Sequence, residues 1–331
     1  MIIGKRWPQF DSDPPRSLDM HVILGGVDGP DDDPEQNRQY LTPPAIGTSA
    51  LRHGTSAARG TSRHLAECPE RKFACGTSSD NGSLVRMSAD GVFEDRIART
   101  YDEDSADMFA PEVLGPTVDF LAELADGRRV LEFAIGTGRV ALPLSARGVE
   151  VAGIELSRAM VAEMMAKPGA AGIPVTIGDM ATTRAEGTFG LVYLVYNTIT
   201  NLLTQDEQVA CFCNAARHLD PGGNFVIEVF VPALRRLPPG ESLIAFDVSD
   251  HHFGVDEYDI VNQRLTSHHY WAAKGRGDTF ASPHRYAWPA EYDLMARIAG
   301  LTLRERWNDW QRTPFTADSK SHVSVWEKTG T

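Results

Sequence analysis

Hydrophobic positions alternate between two periods from residue 94 onward. Some segments repeat apolar residues at helical spacing, and others form short continuous apolar runs typical of buried strands. The pattern predicts helices over 94–103, up to Ala125, over 138–147, 157–167, 206–219 and 289–299, and strands over 129–134, 150–155, 175–177, 189–196 and 224–231. The second helix starts either at Pro111 or at Gly115-Pro116. Strands that alternate with helices indicate right-handed βαβ units and a doubly wound parallel sheet.

The rhythm changes after Pro232. Short alternating segments between 243 and 288 predict antiparallel strands inserted into the α/β body. Two closing strands, near 301–310 and 322–328, have no helix between them and predict an antiparallel hairpin at the edge of the sheet. We therefore expect a core over 87–231, an antiparallel insertion over 232–288, and a closing helix with two strands over 289–331.

The first 86 residues have a different character. Gly, Pro, Ser and Thr make up 30 of them, and the tripeptide Gly-Thr-Ser occurs four times. Such a segment buries too little apolar surface to offset the entropy of ordering, so we expect a low-complexity, disordered extension over 1–86. Because the change comes at Met87, an alternative hypothesis is that the natural chain starts there.

The charge and composition of the chain limit the classes of partner that it can bind. The net charge of −13 disfavours a phosphate backbone, so no nucleic acid is expected. No window approaches the roughly 20 apolar residues of a membrane helix, and we expect a cytoplasmic protein without membrane contact. The four cysteines form neither a disulfide scaffold nor a standard zinc spacing, so no metal is expected.

A glycine-rich turn is the strongest local signal. A buried strand runs through Glu132 into Gly136 and Gly138 and then into a helix, and the acid Glu155 follows at the end of the next strand. This pattern suits an adenosine ligand, whose ribose hydroxyls Glu155 can bind. By itself it does not separate NAD from S-adenosylmethionine, and a purely structural turn is the third alternative.

Three further features favour S-adenosylmethionine. Glu132 precedes the turn, where a carboxylate repels a pyrophosphate but tolerates a zwitterionic amino acid. Asp179 and Met180 follow the third strand, where an adenine can be held. Tyr196 and Asn197 end the fourth strand at the same carboxyl edge.

With these motifs the chain resembles class I S-adenosylmethionine-dependent methyltransferases over about 94–331. Ala134 stands where the family often has glycine, and a small residue should be tolerated there. The resemblance also covers Tyr193–Asn201 and the turn Leu219–Gly223. It implies a Rossmann-like sheet with an antiparallel last strand, with S-adenosyl-L-methionine as cofactor. It also implies cofactor contacts from Glu132, Ala134, Gly136, Gly138, Arg139, Glu155, Leu156, Asp179 and Met180.

The insertion after the fifth strand resembles that of small-molecule methyltransferases such as sugar N,N-dimethyltransferases and glycine or sarcosine methyltransferases. In such enzymes a Tyr-Asp segment, here at Tyr101, folds over the cofactor. We expect Tyr101, Tyr196 and Asn197 to act at the site. The alternatives are a surface tyrosine for Tyr101 and a strand-end cap for the other two.

The expected reaction is methyl transfer to a nitrogen or an oxygen of a small-molecule acceptor. An NAD-dependent oxidoreductase and a non-catalytic methyltransferase-like binding protein are the alternatives. The edge hairpin is compatible with a homodimer.

Histidines and aromatic residues mark the insertion. Neighbours in a strand point to opposite faces, so at most one of His251-His252 and one of His268-His269 reaches a site. A four-histidine metal cluster, a base or substrate contact, and solvated histidines stay open as alternatives. Four aromatic residues line either an acceptor wall or a core: Tyr270, Trp271, Tyr286 and Trp288.

Overall fold

A computed structural model describes residues 95–249, 251–273 and 276–330 of the chain. The predictions for residues 1–86 and for a start at Met87 lie outside these residues. None of the helices within the described ranges has the length and apolar character needed to span a bilayer.

Two sheets organise the described residues. The elements in chain order are α1 (Asp95–Asp104), α2 (Pro111–Ala125), β1 (Val130–Phe133), α3 (Ala141–Ala146), β2 (Val151–Glu155), α4 (Arg158–Met165), β3 (Val175–Ile177), β4 (Phe189–Leu194), α5 (Gln205–His218), β5 (Leu219–Phe230), β6 (Leu243–Val248), β7 (His252–Asp259), β8 (Arg264–Ala273), β9 (Arg276–Arg285), α6 (Pro289–Ile298), β10 (Leu301–Trp307) and β11 (Ser321–Lys328). The larger sheet has the order β10-β11-β5-β4-β1-β2-β3, and the smaller one has the order β6-β7-β8-β9.

The larger sheet is parallel from β3 to β5 and antiparallel on both sides of β11. Strands β1 and β4 are buried along their whole length, as expected when helices cover both faces of a parallel sheet. One apolar core lies on the side of α5 and α6, and a second lies on the side of α2, α3 and α4. The α/β class and the edge hairpin are confirmed.

Local capping sets the start of two helices. The Ser157 hydroxyl accepts the Met160 N–H at 3.2 Å and opens α4, which confirms the predicted cap. At the start of α5, Thr204 Oγ1 accepts the Glu207 N–H at 3.1 Å, and Glu207 Oε2 accepts the Thr204 N–H at 2.9 Å. This reciprocal capping box satisfies two backbone donors that the helix itself cannot.

Several predicted boundaries were wrong by a few residues. Helix α3 begins at Ala141 rather than Gly138, because Gly138 has a φ of 79° and cannot continue a right-handed helix. For α2, by contrast, the structure confirms Pro111, the first of the two predicted starts, so Pro116 lies inside the helix. Strand β5 begins at Leu219, and the turn over 220–223 is an irregularity in its pairing with β4. Strand β10 ends at Trp307.

The smaller sheet, which we call the cap, packs on the core through one face. Ile244, Tyr258, Leu265 and Tyr286 form an apolar cluster with residues that follow β5. A second attachment is buried and polar. The Arg285 guanidinium binds Gln208 Oε1 at 2.6 Å, Glu291 Oε1 at 2.5 Å and Gln263 Oε1 at 3.0 Å. These contacts join the end of β9 to α5 and α6, and so fix the cap beside the carboxyl edge of the core sheet.

Candidate active site

The chain leaves β1 through a turn that needs small residues. Ala134, Gly136 and Gly138 have φ values of 52°, 58° and 79°, in the left-handed region. A Cβ on Gly138 would lie 2.9 Å from Met164 Cγ. The turn predicted for Gly136 and Gly138 is therefore confirmed, and Ala134 adopts the conformation for which a glycine is the usual residue.

Glu155 braces this turn from the end of β2. Its Oε2 accepts the Gly136 N–H and its Oε1 accepts the Ser157 N–H, both at 2.9 Å. Burial raises the pKa of the Glu155 carboxyl, and the two N–H donors oppose the rise. Each carboxylate oxygen has a second lone pair, so the group can still accept hydrogen bonds from a ribose.

Glu132 lies buried beneath the turn. The Tyr193 hydroxyl donates to its Oε2 at 2.8 Å. Burial raises the pKa of Glu132 to about 8, while the Tyr193 hydrogen bond and the charge of Arg139 lower it. A carboxyl in this state has little compensating charge, and a cationic ligand group would favour its ionised form.

Helix α1 is attached across the same turn. The Thr137 hydroxyl donates to Asp102 Oδ1 at 2.6 Å, and Lys167 forms an ion pair with Asp102. Lys167 Nζ also donates to the Thr137 carbonyl at 2.8 Å. We call these three residues the α1 clasp. Thr137 and Lys167 were not predicted as site residues, because nothing in the local sequence pattern links residues 30 or more positions apart.

The clasp brings Tyr101 to the predicted site. Burial raises the pKa of the Tyr101 hydroxyl, the charge of Arg139 lowers it, and the charges of Glu155 and Glu132 raise it. Two carboxyls, one guanidinium and one phenol therefore share a small region around the glycine turn. Tyr101 is not an isolated surface tyrosine, and its role as a lid stays a prediction.

Tyr196 and Asn197 end β4 in an unusual conformation. Both have positive φ, 62° and 61°, which costs about 1 kcal/mol or more per residue. The Tyr196 N–H donates to Glu228 Oε2 at 3.0 Å, and Asn197 Oδ1 accepts the Phe230 N–H at 2.8 Å. The Arg139 guanidinium lies 5.0 Å from the centre of the Tyr196 ring. Tyr196 thus contacts Arg139 of the site, whereas the side-chain carbonyl of Asn197 caps the end of β5.

The three remaining predicted contacts follow β2 and β3. Leu156 is 42% exposed, and Asp179 is exposed while its Oδ1 accepts the Ala181 N–H at 2.7 Å. Met180 is only 9% exposed and belongs to the core cluster on the α5 side. Leu156 and Asp179 are accessible to an adenine, whereas Met180 packs mainly against protein.

Comparisons with known proteins agree with this geometry. Residues 130–223 match the family described as a methyltransferase domain. The structure of the CcbJ methyltransferase from Streptomyces caelestis is 37% identical, with a TM-score of 0.65. The match covers 73% of this chain and 99% of that one. The chain is a class I S-adenosylmethionine-dependent methyltransferase of the small-molecule type.

Two curated relatives support the assignment. The cypemycin N-terminal methyltransferase from a Streptomyces species is 27% identical over 252 residues, which are 73% of this chain and 100% of that protein. A dTDP-3-amino-3,4,6-trideoxy-alpha-D-glucopyranose N,N-dimethyltransferase from Streptomyces venezuelae is 29% identical over 139 residues, 39% of this chain and 58% of that protein. Membership in the methyltransferase family excludes the two alternatives, an NAD-dependent oxidoreductase and a non-catalytic binding protein.

The residues of this methyltransferase fit S-adenosylmethionine. Its amino-acid end carries an ammonium and a carboxylate, and the turn presents the Arg139 guanidinium and the Glu132 carboxyl, which a neighbouring cation would ionise. The absence of Cβ atoms at Gly136 and Gly138 lets a ligand approach the backbone closely. A pyrophosphate would instead face the two buried carboxyls of Glu132 and Glu155. We expect Glu132 and Arg139 to hold the amino-acid end and Glu155 to hold the ribose.

The cap presents a polar inner face to this methyltransferase core. His252, Asp256 and Tyr258 alternate as buried residues along β7, and their neighbours are more exposed. His269 is buried on β8, whereas His251 is exposed and His268 is half-buried and bound to Glu257 Oε2 at 2.9 Å. One histidine of each pair therefore faces inward, as predicted. Among the described residues no group of three or more His, Cys, Asp or Glu is placed to hold a metal ion.

The four aromatic residues of the insertion divide between surface and core. Tyr270 points outward against Phe253, with ring centres 6.0 Å apart, and Trp288 is also exposed. Tyr286 belongs to the core beneath the cap. Trp271 stacks on His269 with ring centres 5.3 Å apart. Trp271 is therefore the one of these four that lies beside the inner-face histidines.

Proposed function

We propose that this methyltransferase transfers the methyl group to an amine nitrogen of a small molecule bound between the carboxyl edge of β4 and the inner face of the cap. When bound, S-adenosylmethionine supplies a methyl group on a sulfonium centre. The protein then has to orient the acceptor, exclude water and remove one proton from a protonated amine.

Asp256 carries the proposal. Its side chain is on the inner face of the cap and is 7% exposed, and its Oδ1 accepts the Ser267 hydroxyl at 2.7 Å. Burial raises the pKa of Asp256 to about 6, and the Ser267 hydrogen bond opposes the rise. Near neutral pH the Asp256 carboxylate is a buried anion, which a cationic partner such as a protonated amine would stabilise. It is also a better proton acceptor than an ordinary aspartate.

The two curated relatives support transfer to nitrogen. One is named for methylation of the N-terminus of cypemycin, and the other for dimethylation of an amino sugar. The first of these matches over its whole length. A neutral amine is also a sufficient nucleophile once its proton has been removed, so the site does not need a base strong enough to ionise a hydroxyl.

The test is methyl transfer from isotope-labelled S-adenosylmethionine to matched amines and alcohols, with the full chain as enzyme. We expect methylated amines and no methylated alcohols, identified by mass spectrometry. Methylated alcohols alone would assign the reaction to oxygen. Transfer to neither class, while S-adenosylhomocysteine binds, would contradict the proposal.

Two neighbouring residues provide a matched pair of variants. Asp256→Asn removes the inner charge, and Glu257→Gln removes a charge on the opposite, more exposed face. Asp256→Asn should raise the acceptor KM at least ten-fold and leave the S-adenosylhomocysteine Kd unchanged. Glu257→Gln should change neither value. Equal effects of the two variants would remove Asp256 from the acceptor site.

A further inference from the structure

The cap is apolar on the side that points away from the core. Its inner face packs on the core, so the alternation of an antiparallel sheet should place polar side chains outward. Strand register instead aligns three rows of four outward-pointing residues, and none of these twelve residues is buried. We call them the outer face: Val248, Phe253, Tyr270 and Thr279; Ala245, Val255, His268 and Ala281; Leu243, Glu257, Thr266 and Pro283.

Eight of the twelve residues are aliphatic, aromatic or proline. Val248 is 74% exposed, and Phe253 and Tyr270 are 44% and 45% exposed. The two ionisable members, Glu257 and His268, bind each other at 2.9 Å. With about 4.8 Å between strands and about 6.8 Å between successive residues on one face, the outer face covers about 400 Å². A contiguous apolar surface of this size marks a site of interaction.

The outer face is complementary to a copy of itself. A two-fold axis that runs along the strands between β7 and β8 exchanges these two strands between copies. Phe253 of one copy then faces Tyr270 of the other, and the same contact occurs twice. The axis also exchanges β6 and β9, so that Leu243 faces Pro283. Two sheets can pack in this way about 10 Å apart with their strands within about 30° of each other.

The charges at the rim agree with the same axis. Asp259 and Arg264 are opposite each other at the joined ends of β7 and β8, and both are exposed. The axis places Asp259 of one copy against Arg264 of the other, again twice. Glu257 faces Thr266, so no acid of this surface meets another acid, although the chain carries a net charge of −13. The favoured occupant is therefore a second copy of this chain.

We propose that the outer face of the cap is a homodimer interface, covered by the outer face of a second copy. This interface is separate from the edge hairpin of the larger sheet and does not depend on the identity of the methyl acceptor. Stable complexes bury roughly 800 Å² per partner, about twice what the outer face supplies. We therefore expect a reversible dimer with a micromolar Kd.

Sedimentation equilibrium of the full-length protein between about 1 and 100 µM tests the proposal. The mass should rise from one chain to two over this range. Phe253→Lys and Tyr270→Glu should each raise the dimer Kd at least ten-fold, because each places a charge against an apolar surface. Leu294→Lys, at a comparably exposed apolar position on α6, is the matched control and should leave the Kd unchanged.

Mixing the two variants tests the two-fold axis directly. In a mixed dimer one contact pairs an ammonium with a carboxylate, and the other keeps the wild-type pair of Phe253 and Tyr270. The mixture should therefore dimerise at least five-fold more tightly than either variant alone. Within each chain the rings of Phe253 and Tyr270 lie 6.0 Å apart, and mixing cannot restore this lost contact. A gain on mixing thus reports contact between copies.

The variants should stay folded, because their side chains point away from the core. Unchanged S-adenosylhomocysteine Kd values measure this, and Val248→Lys on β6 provides a third variant that should also weaken the dimer. A wild-type chain that is monomeric at 100 µM would overturn the proposal. So would a dimer that Leu294→Lys weakens as much as Phe253→Lys does. A mixture that dimerises no more tightly than its components would exclude the two-fold axis.

Discussion

Replacing Glu132 by glutamine should stabilise the protein and weaken its hold on the cofactor. Glu132 is 3% exposed, and its one direct side-chain partner within the described residues is the Tyr193 hydroxyl. Glutamine keeps an oxygen that accepts this hydrogen bond and removes the charge that burial opposes. The two effects have opposite signs because the carboxyl serves ligand binding rather than folding.

The magnitude follows from the pKa of Glu132, which burial raises from its ordinary 4.5 to about 8. A raised carboxyl pKa means that the folded state binds the proton more tightly. The stability contributed by this group is therefore complete below pH 4.5 and is lost as the pH rises through 8. At about 1.36 kcal/mol per pKa unit, the loss is about 3 kcal/mol at pH 7 and about 5 kcal/mol above pH 8.

Urea unfolding of wild type and Glu132→Gln between pH 4.5 and 8 measures this effect. The free energy of unfolding of the variant, relative to wild type, should rise by about 3 kcal/mol from pH 4.5 to 7. The cost of burying the amide hydrogens does not depend on pH, so it cancels in this difference. Glu228→Gln is the control and should destabilise by about 1–3 kcal/mol, because Glu228 accepts from both the Tyr196 N–H and Trp310 Nε1.

Calorimetry tests the ligand side of the same argument. If an ammonium group binds beside Glu132, S-adenosylhomocysteine should release close to one proton at pH 7, detected as a dependence of the binding heat on buffer ionisation. Glu132→Gln should lose this release and bind at least ten-fold more weakly. Identical pH dependence of unfolding in wild type and variant would refute the reasoning about burial. Unchanged proton release would refute the placement of the ammonium.

Three further outcomes follow from the structure. Gly138→Ala should lower the free energy of unfolding by about 1–3 kcal/mol and weaken S-adenosylhomocysteine at least ten-fold by calorimetry. Gly148→Ala has a similar φ of 85° but open space around it, so it should leave binding intact. Arg285→Met should lower the free energy of urea unfolding by about 1–3 kcal/mol, because it removes the charged partner of the half-buried Glu291, which keeps its hydrogen bonds from Gln205 and Gln263. Glu291→Gln in the same chain should recover part of the loss, and additive losses would contradict the coupling. Burial lowers the pKa of His218 from 6.5 to about 4, so the stability that His218 contributes is present above pH 6.5 and falls by up to about 3 kcal/mol as the pH drops to 4. His218→Gln should therefore reduce the loss of unfolding free energy between pH 6.5 and 4. An unchanged loss over this pH range would contradict the prediction.

The core of the fold and the glycine turn were predictable because their signals are local. A buried strand, a turn with left-handed glycines, a helix and an acid at the next strand end lie within about 25 residues. Each of these features depends on short-range sterics or on burial that hydrophobic periodicity reports. Alternation along a strand was likewise enough to predict that at most one histidine of each pair faces inward, and the structure shows which one.

The contacts that complete the site could not be predicted from local sequence patterns, because they join residues that are far apart in the chain. Asp102, Thr137 and Lys167 meet only because α1 packs across the turn in the tertiary structure. Asp256, His269 and His284 share one face through strand pairing, and His284 contacts Thr200 of the core. The class of fold, the cofactor turn and the direction in which strand side chains point could be inferred from the chain alone, since these depend on neighbouring residues. Which distant polar groups are buried together became known from the folded structure, because hydrogen-bond partners and pKa values depend on desolvation that no single segment controls.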